Sequence, residues 1–382
     1  MPQVDAVELL LQMVEIPSVN PTLNSSGGEA ALVGHLAGVL DGLGFEVELA
    51  EVAPGRHNVL GWLRGAPGRT IVLESHVDTV PESHGGQPCA LRDGRVWGRG
   101  ACDTKASGAA MIAALARLAE THRPKEHPSV VFAGIIDEES HMNGAAALTR
   151  QISEPTLVIV GEPTMLIPIR AHNGILRFDV EVFGQTAHSS IRGGGINAIS
   201  EASKLVNMFD AALSKLLSES VHAQTGLGAF TITHFNAGVA TNVVPDHVEL
   251  RFDRRLVPGE TIAQALQGFD QFLDSVSASG IKCRRGEPTL EFAPIEIDET
   301  HPLVRAAEES YAQVLGKHVA ASGITFCTDA SVLTRNPMVE CIVLGPGSIE
   351  QAHAPIEWVS VDQVVAAVDI YVAIVERLRH AF

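Results

Sequence analysis

The chain has 382 residues, 46% of them hydrophobic and 19% charged, a globular composition long enough for more than one core. Its formal net charge of −18 argues against a nucleic-acid or anionic-membrane partner, because both need a basic footprint. The five cysteines are scattered and form no C-x-x-C, which points to free thiols in a reducing, cytoplasmic compartment, and no apolar run reaches the ~18 residues of a membrane span.

The opening "MPQVDAVELLLQMVEIPSVN" has no basic start and is interrupted by Asp5 and Glu8, so it reads as an amphipathic helix and not as a signal peptide. Helix and strand signals then alternate. "GGEAALVGHLAGVLDGLG" has helical spacing with a glycine stop, and "FEVELAEV" follows as a strand. "TIVLESH", "SVVFAGIIDEES" and "TLVIVGEPT" are short apolar runs, with the alanine-rich helix "TKASGAAMIAALARLAE" between the first two and Thr104 as its candidate N-cap. Continuous apolar strands separated by helices predict a mostly parallel sheet flanked by helices.

From residue 174 the order changes to β-α-β-β-α-β. In "ILRFDVEVFG", Leu176, Phe178, Val180 and Val182 alternate with Arg177, Asp179 and Glu181, as suits a sheet with one wet face. From 288 the chain returns to helix, buried strand ("ECIVLGPG") and a last helix, where "SVDQ" offers a capping box from Ser360 to Gln363. The expected architecture is an α/β catalytic domain (1–173 and 288–382) carrying an inserted α+β lid or dimerisation domain (174–287).

Polar residues cluster where the apolar runs end: His76 and Asp78; Asp137, Glu138 and Glu139; Glu162; and, in a loop after the late strand, His353. Asp103 precedes a helix, where a charge near the helix N-terminus is also favourable by itself. Ligands of open α/β sheets bind outside the carboxyl ends of the strands, so these groups converge if the strands are neighbours. Two imidazoles and several carboxylates are the N/O donors that Zn²⁺, Co²⁺ or Mn²⁺ accept. Asp78 is placed to orient His76 by accepting its second N–H, or else to cap the turn that follows. "GRGACD" hints at a dinucleotide loop, but Asp103 stands where the third glycine is needed.

"SHVDTVP", "GRGACDTKASG", "DEES", "GEPT", "QTAHSS" and "GPG…H" together resemble the M20 metallopeptidase/deacylase family, in its acetylornithine deacetylase and succinyl-diaminopimelate desuccinylase branch, over nearly the whole chain. The resemblance implies two divalent ions, Zn²⁺ first and Co²⁺ or Mn²⁺ as alternatives. His76 and Glu162 would bind one, Glu139 and His353 the other, and Asp103 would bridge them. Glu138 would be the general base for a metal-bridged hydroxide, with Asp78 orienting His76. His188 would meet the substrate carbonyl across a homodimer interface, and Asn242 ("TNVVP") and Arg255 ("FDRRLVP") would contact the substrate. The implied reaction removes an N-acyl group, acetyl or succinyl, from an amino acid; a dipeptidase or carboxypeptidase acting on short peptides would use the same metals. The chain departs from the family pattern at Ser75, at Ala106 and at Cys327 in "FCTDAS", the last of which touches substrate recognition.

Overall fold

Asp5 accepts from the N–H groups of Val7 and Glu8 and starts α1 (Ala6–Glu15). There follow α2 (Ala30–Gly42), β1 (Glu46–Ala53), β2 (Arg56–Leu63), β3 (Ala66–His76), α3 (Ala106–Thr121), β4 (Pro128–Ile135), α4 (Asn143–Gln151) and β5 (Thr156–Val160). The middle of the chain supplies β6 (Gly174–Phe183), α5 (Ala198–Leu216), β7 (Ala229–Ala237), β8 (His247–Leu256), α6 (Ile262–Ala278) and β9 (Lys282–Phe292). The last part supplies α7 (Pro302–Leu315), α8 (Ala330–Leu333), β10 (Val339–Val343) and α9 (Val361–Leu378). This computed structural model describes residues 4–82 and 86–379, and among them no helix is long and apolar enough to cross a membrane. The chain divides into two units: Met1–Arg170 with Ile297–Ser322 and Thr328–Phe382, and Ala171–Glu296 with Gly323–Cys327.

In the first unit the strands lie in the order β1-β2-β4-β3-β5-β10. β1 and β2 are antiparallel, whereas β4, β3, β5 and β10 run parallel. Every residue of β4 and β5 is buried, which is why those segments read as unbroken apolar runs. α3 is buried on nearly all sides, between the sheet and helices α1 and α9, and its alanines permit that close approach. Two glycines permit it as well. A Cβ on Gly161 would sit 2.6 Å from Ser107 Cβ, and one on Gly345 would sit 2.4 Å from Ser107 Oγ.

Two capping assignments read from the sequence are not realised. Thr104 lies in an irregular turn, Ala101–Lys105, and its hydroxyl donates to the main-chain carbonyl of His76 (3.1 Å); α3 starts after it, without a side-chain cap. Ser360 makes no capping bond, and Gln363 instead accepts the Gly347 N–H (2.7 Å) of the loop beyond β10. In both cases a tertiary partner takes the side chain that local spacing offered to the helix. Lys105, the lysine after Asp103, is fully buried and donates to the carbonyls of Met13 and Ile16, closing the C-terminus of α1. Burial pulls its pKa down to about 7.

The second unit holds an antiparallel sheet in the order β7-β8-β6-β9. The expected alternation on β6 is present: Leu176, Phe178, Val180 and Val182 are buried, and the residues between them are half-buried. With Phe209 of α5 and Phe269 and Phe272 of α6 they form an aromatic-rich core. β9 extends as far as Phe292. His172, at the end of the strand Ile169–His172, is completely buried, and burial lowers its pKa from 6.5 to about 4.

A histidine held neutral in this way makes folding stability depend on pH. Between about 4 and 6.5 the unfolded chain binds a proton that the folded chain refuses, so stability is complete above 6.5 and falls as the pH drops towards 4. The loss is roughly 3 kcal/mol at its fullest. Urea titrations of the native chain and of His172→Gln over this range are expected to show a shallower acid limb in the variant; identical slopes would refute the assignment.

Candidate metal centre

Because β4, β3, β5 and β10 are parallel, their carboxyl ends open on one edge of the sheet. His76 is the last residue of β3, Glu138 and Glu139 follow β4, Glu162 follows β5, and His353 lies in the loop after β10. All belong to the first unit, as does Asp103.

The Nδ1 of His76 donates to the main-chain carbonyl of Asp78 (3.0 Å), which puts the proton on that nitrogen and leaves the Nε2 lone pair for a ligand. Nε2 lies 3.0 Å from Asp103 Oδ1 and 3.9 Å from Glu162 Oε1. On the other side, His353 Nε2 lies 3.0 Å from Glu139 Oε2 and 3.4 Å from Asp103 Oδ2. Asp103 thus offers one oxygen to each histidine. Donor atoms of His76, Asp103 and Glu139 all lie within 4.8 Å of one another.

The electrostatics of this cluster are unfavourable without a cation. Burial, followed by repulsion between neighbouring carboxylates, pushes Glu138 and Glu162 well above the ordinary carboxyl range and Glu139 above it. Burial alone would lower the pKa of His76, but the neighbouring carboxylates of Asp103 and Asp78 override it and raise it well above 6.5. The bond to Glu139 raises His353. Two carboxyls that the sequence reading passed over add to the load. Glu74 of β3 and Asp329 before α8 are both buried, and Glu74 Oε2 and both Asp329 oxygens have no hydrogen-bond partner. Burial and neighbouring carboxylates push both pKa values well up. Divalent cations would neutralise such a cluster, and its nitrogen and oxygen donors suit Zn²⁺, Co²⁺ or Mn²⁺.

Carboxylates that touch main-chain N–H groups hold these loops in place. Asp78 approaches His76 Nδ1 only to 3.6 Å with its carboxylate. Its oxygens accept instead from the N–H groups of Glu138 and Glu139 (both 3.1 Å) and from Asn20 Nδ2 (2.8 Å). These bonds, with His76, hold Asp78 below its ordinary pKa against the cost of burial. The orienting group for His76 is therefore chiefly the Asp78 carbonyl, and the carboxylate braces the loop after β4. In that loop Asp137 has a left-handed backbone (φ 73°) and accepts from Asn20, Arg56 and Asn143. Glu357 does the same for Asp103: Oε1 accepts the N–H groups of Cys102 (2.9 Å) and Asp103 (3.0 Å), and Oε2 accepts Gly100 N–H (3.0 Å) and Arg99 Nη1 (2.7 Å). The sequence reading missed Asn20 and Glu357, since neither stands beside the residues it supports.

His188, Asn242 and Arg255 lie in the second unit. His188 is in a two-residue strand paired with Val243–Val244; it is exposed and bonded to Ser190 Oγ (2.7 Å), and the Asn242 carbonyl accepts the Ser189 N–H (3.0 Å). Arg255 donates Nε to Asp253 (2.8 Å).

Residues 72–377 match the family described as Peptidase family M20/M25/M40. The chain belongs to this family and is a metal-dependent hydrolase of amide bonds. It is 30% identical over 381 residues to the acetylornithine deacetylase of Vibrio campbellii, covering 96% of each chain, and 34% identical over 348 residues to that of Edwardsiella ictaluri, covering 87% of each. Among solved structures, an aminopeptidase from Bacillus cereus superposes with a TM-score of 0.78 at 20% identity, covering 99% of this chain and 100% of its own. A dinuclear metal-binding peptidase of the M20 family from Bacillus subtilis gives 0.74 at 15%, covering 99% and 98%.

Binding of an ion to the folded cluster alone stabilises the fold by mass action, ~2.7 kcal/mol at a hundredfold excess over Kd. Adding Zn²⁺ to chelator-treated protein is expected to raise the melting temperature by several degrees, and Asp103→Asn to remove most of that rise. An equal rise in the variant would place the ions elsewhere.

Proposed function

We propose that this hydrolase removes an acetyl or succinyl group from the amino group of an amino acid. The near full-length similarity to acetylornithine deacetylases carries this reading. The two histidines sharing Asp103 support a two-ion centre, with His76 and Glu162 holding one ion, Glu139 and His353 the other, and Asp103 joining them. Bound there, divalent ions supply Lewis acidity that makes water nucleophilic near neutral pH.

The chain's own residues divide the remaining work. Glu138, partly buried and with its pKa raised, suits the general base that takes a proton from water and passes it to the leaving amine. His188 is assigned to the developing oxyanion, and losing such a donor costs on the order of 10²–10³ in rate. Arg255 matches the substrate carboxylate through its fork of donors, and Asn242 is assigned a further contact to the substrate. Five scattered cysteines with no C-x-x-C favour a reducing, cytoplasmic setting. The edge strand β7, with Phe235 43% and Val239 just beyond it 89% exposed, supports a homodimer formed through the second unit.

Glu138→Ala is expected to keep its metal by elemental analysis and lose nearly all activity, whereas His76→Ala loses metal as well; full activity in Glu138→Ala would sink the assignment. A panel of N-acyl amino acids and dipeptides, with Zn²⁺, Co²⁺ and Mn²⁺ added separately, distinguishes the deacylase from a dipeptidase. In sedimentation experiments Val239→Asp is expected to shift a dimer towards monomer; a native chain that sediments as a monomer would refute the interface.

A further inference from the structure

On β8 the inward-facing positions are Val248, Leu250, Phe252, residue 254 and Leu256. Four of the five are fully buried hydrophobics, and the fifth is an arginine. Arg254 is 4% exposed and sits opposite Leu176 and Phe230 on the neighbouring strands. The period-2 pattern calls for an apolar side chain there, and burying a guanidinium instead is costly unless its charge and donors are met.

Only part of that demand is met. Arg254 Nη2 donates to Glu260 Oε1 (2.6 Å), while Nη1 is buried without a hydrogen-bond partner. Glu260 has little more to offer, because its other oxygen already accepts Val257 N–H and Ser220 Oγ (both 2.8 Å). The guanidinium lies 5.4 Å from the centre of the Phe230 ring. Arg254 lines a cleft of about 700 Å³ between α5 and α6, within the size range of small-molecule sites. The apolar wall of the cleft includes Phe230, Phe269, Phe272 and Leu216.

We propose that this cleft is a second ligand site, separate from the metal centre, for a small monocarboxylate bearing an aromatic or branched apolar group. Arg254 Nη1, buried beside the cleft, turns to the entering carboxylate and donates it a charge-assisted hydrogen bond, and the phenylalanine wall covers the apolar group. The lining cations Arg254 and Lys215 are matched by Glu219 and Glu260, which leaves no surplus positive charge for a phosphate, and the unpartnered Nη1 asks for a single acceptor. The site lies on residues of the second unit alone and does not depend on the reaction assigned above.

Two substitutions test it in the full-length chain. Arg254→Met restores the apolar pattern of β8. Gly268→Leu fills the cleft from α6, where an added Cβ meets nothing within 4 Å. The probe is 4-fluorophenylacetate, titrated into chelator-treated protein and followed by ¹⁹F NMR line broadening, so that metal-bound carboxylate does not contribute. Saturable binding to the native chain is expected, about tenfold or more weaker in each variant and for the neutral 4-fluorophenylacetamide. Absence of saturable binding, or an affinity unchanged in either folded variant, overturns the proposal. If Arg254→Met fails to fold, Gly268→Leu decides it.

Discussion

Asp103, Glu138, Glu139 and Glu162 are brought together at the carboxyl edge of a parallel sheet, where little water is left to screen them. Much of the surrounding structure follows from that crowding. Like charges at this density cannot all stay ionised unless a cation joins them, and the raised pKa values record the conflict. A sheet with antiparallel strands in its middle would send alternate strand ends to opposite edges. The parallel order β4-β3-β5-β10 collects them on one.

Holding these groups at fixed spacing requires rigid loops, and the chain builds them with carboxylates that accept main-chain N–H groups. Asp78 binds the loop carrying Glu138 and Glu139, and Glu357 binds the turn carrying Asp103. Each support arrives from a distant part of the chain; Glu357 is 254 residues from Asp103. These groups are therefore held by bonds between distant parts of the chain, and packing keeps them in register: Gly161 and Gly345 let the loops after β5 and β10 close onto Ser107 of α3.

The same contrast explains which expectations were met. Period and composition are local properties, so the buried strands, the alternation on β6 and the alanine-rich α3 were readable from short windows. The caps assigned to Thr104 and Ser360 failed because tertiary partners changed the choice: Thr104 bonds to β3, and Gln363, the partner required by Ser360, bonds to the loop at Gly347. Arg254 breaks the alternation of β8, and the cleft beside it gives that break its significance.

The sequence by itself determined the fold class and the inventory of candidate ligands, because strand-end chemistry is written in consecutive residues. Only the tertiary structure decided that Asp103 faces both histidines, that the Asp78 carbonyl rather than its carboxylate lies nearest His76, and that Asn20 and Glu357 support the centre. Those are distances between residues far apart in the chain. Hydrophobic periodicity specifies which side of an element is buried, but not which distant polar group will meet it there.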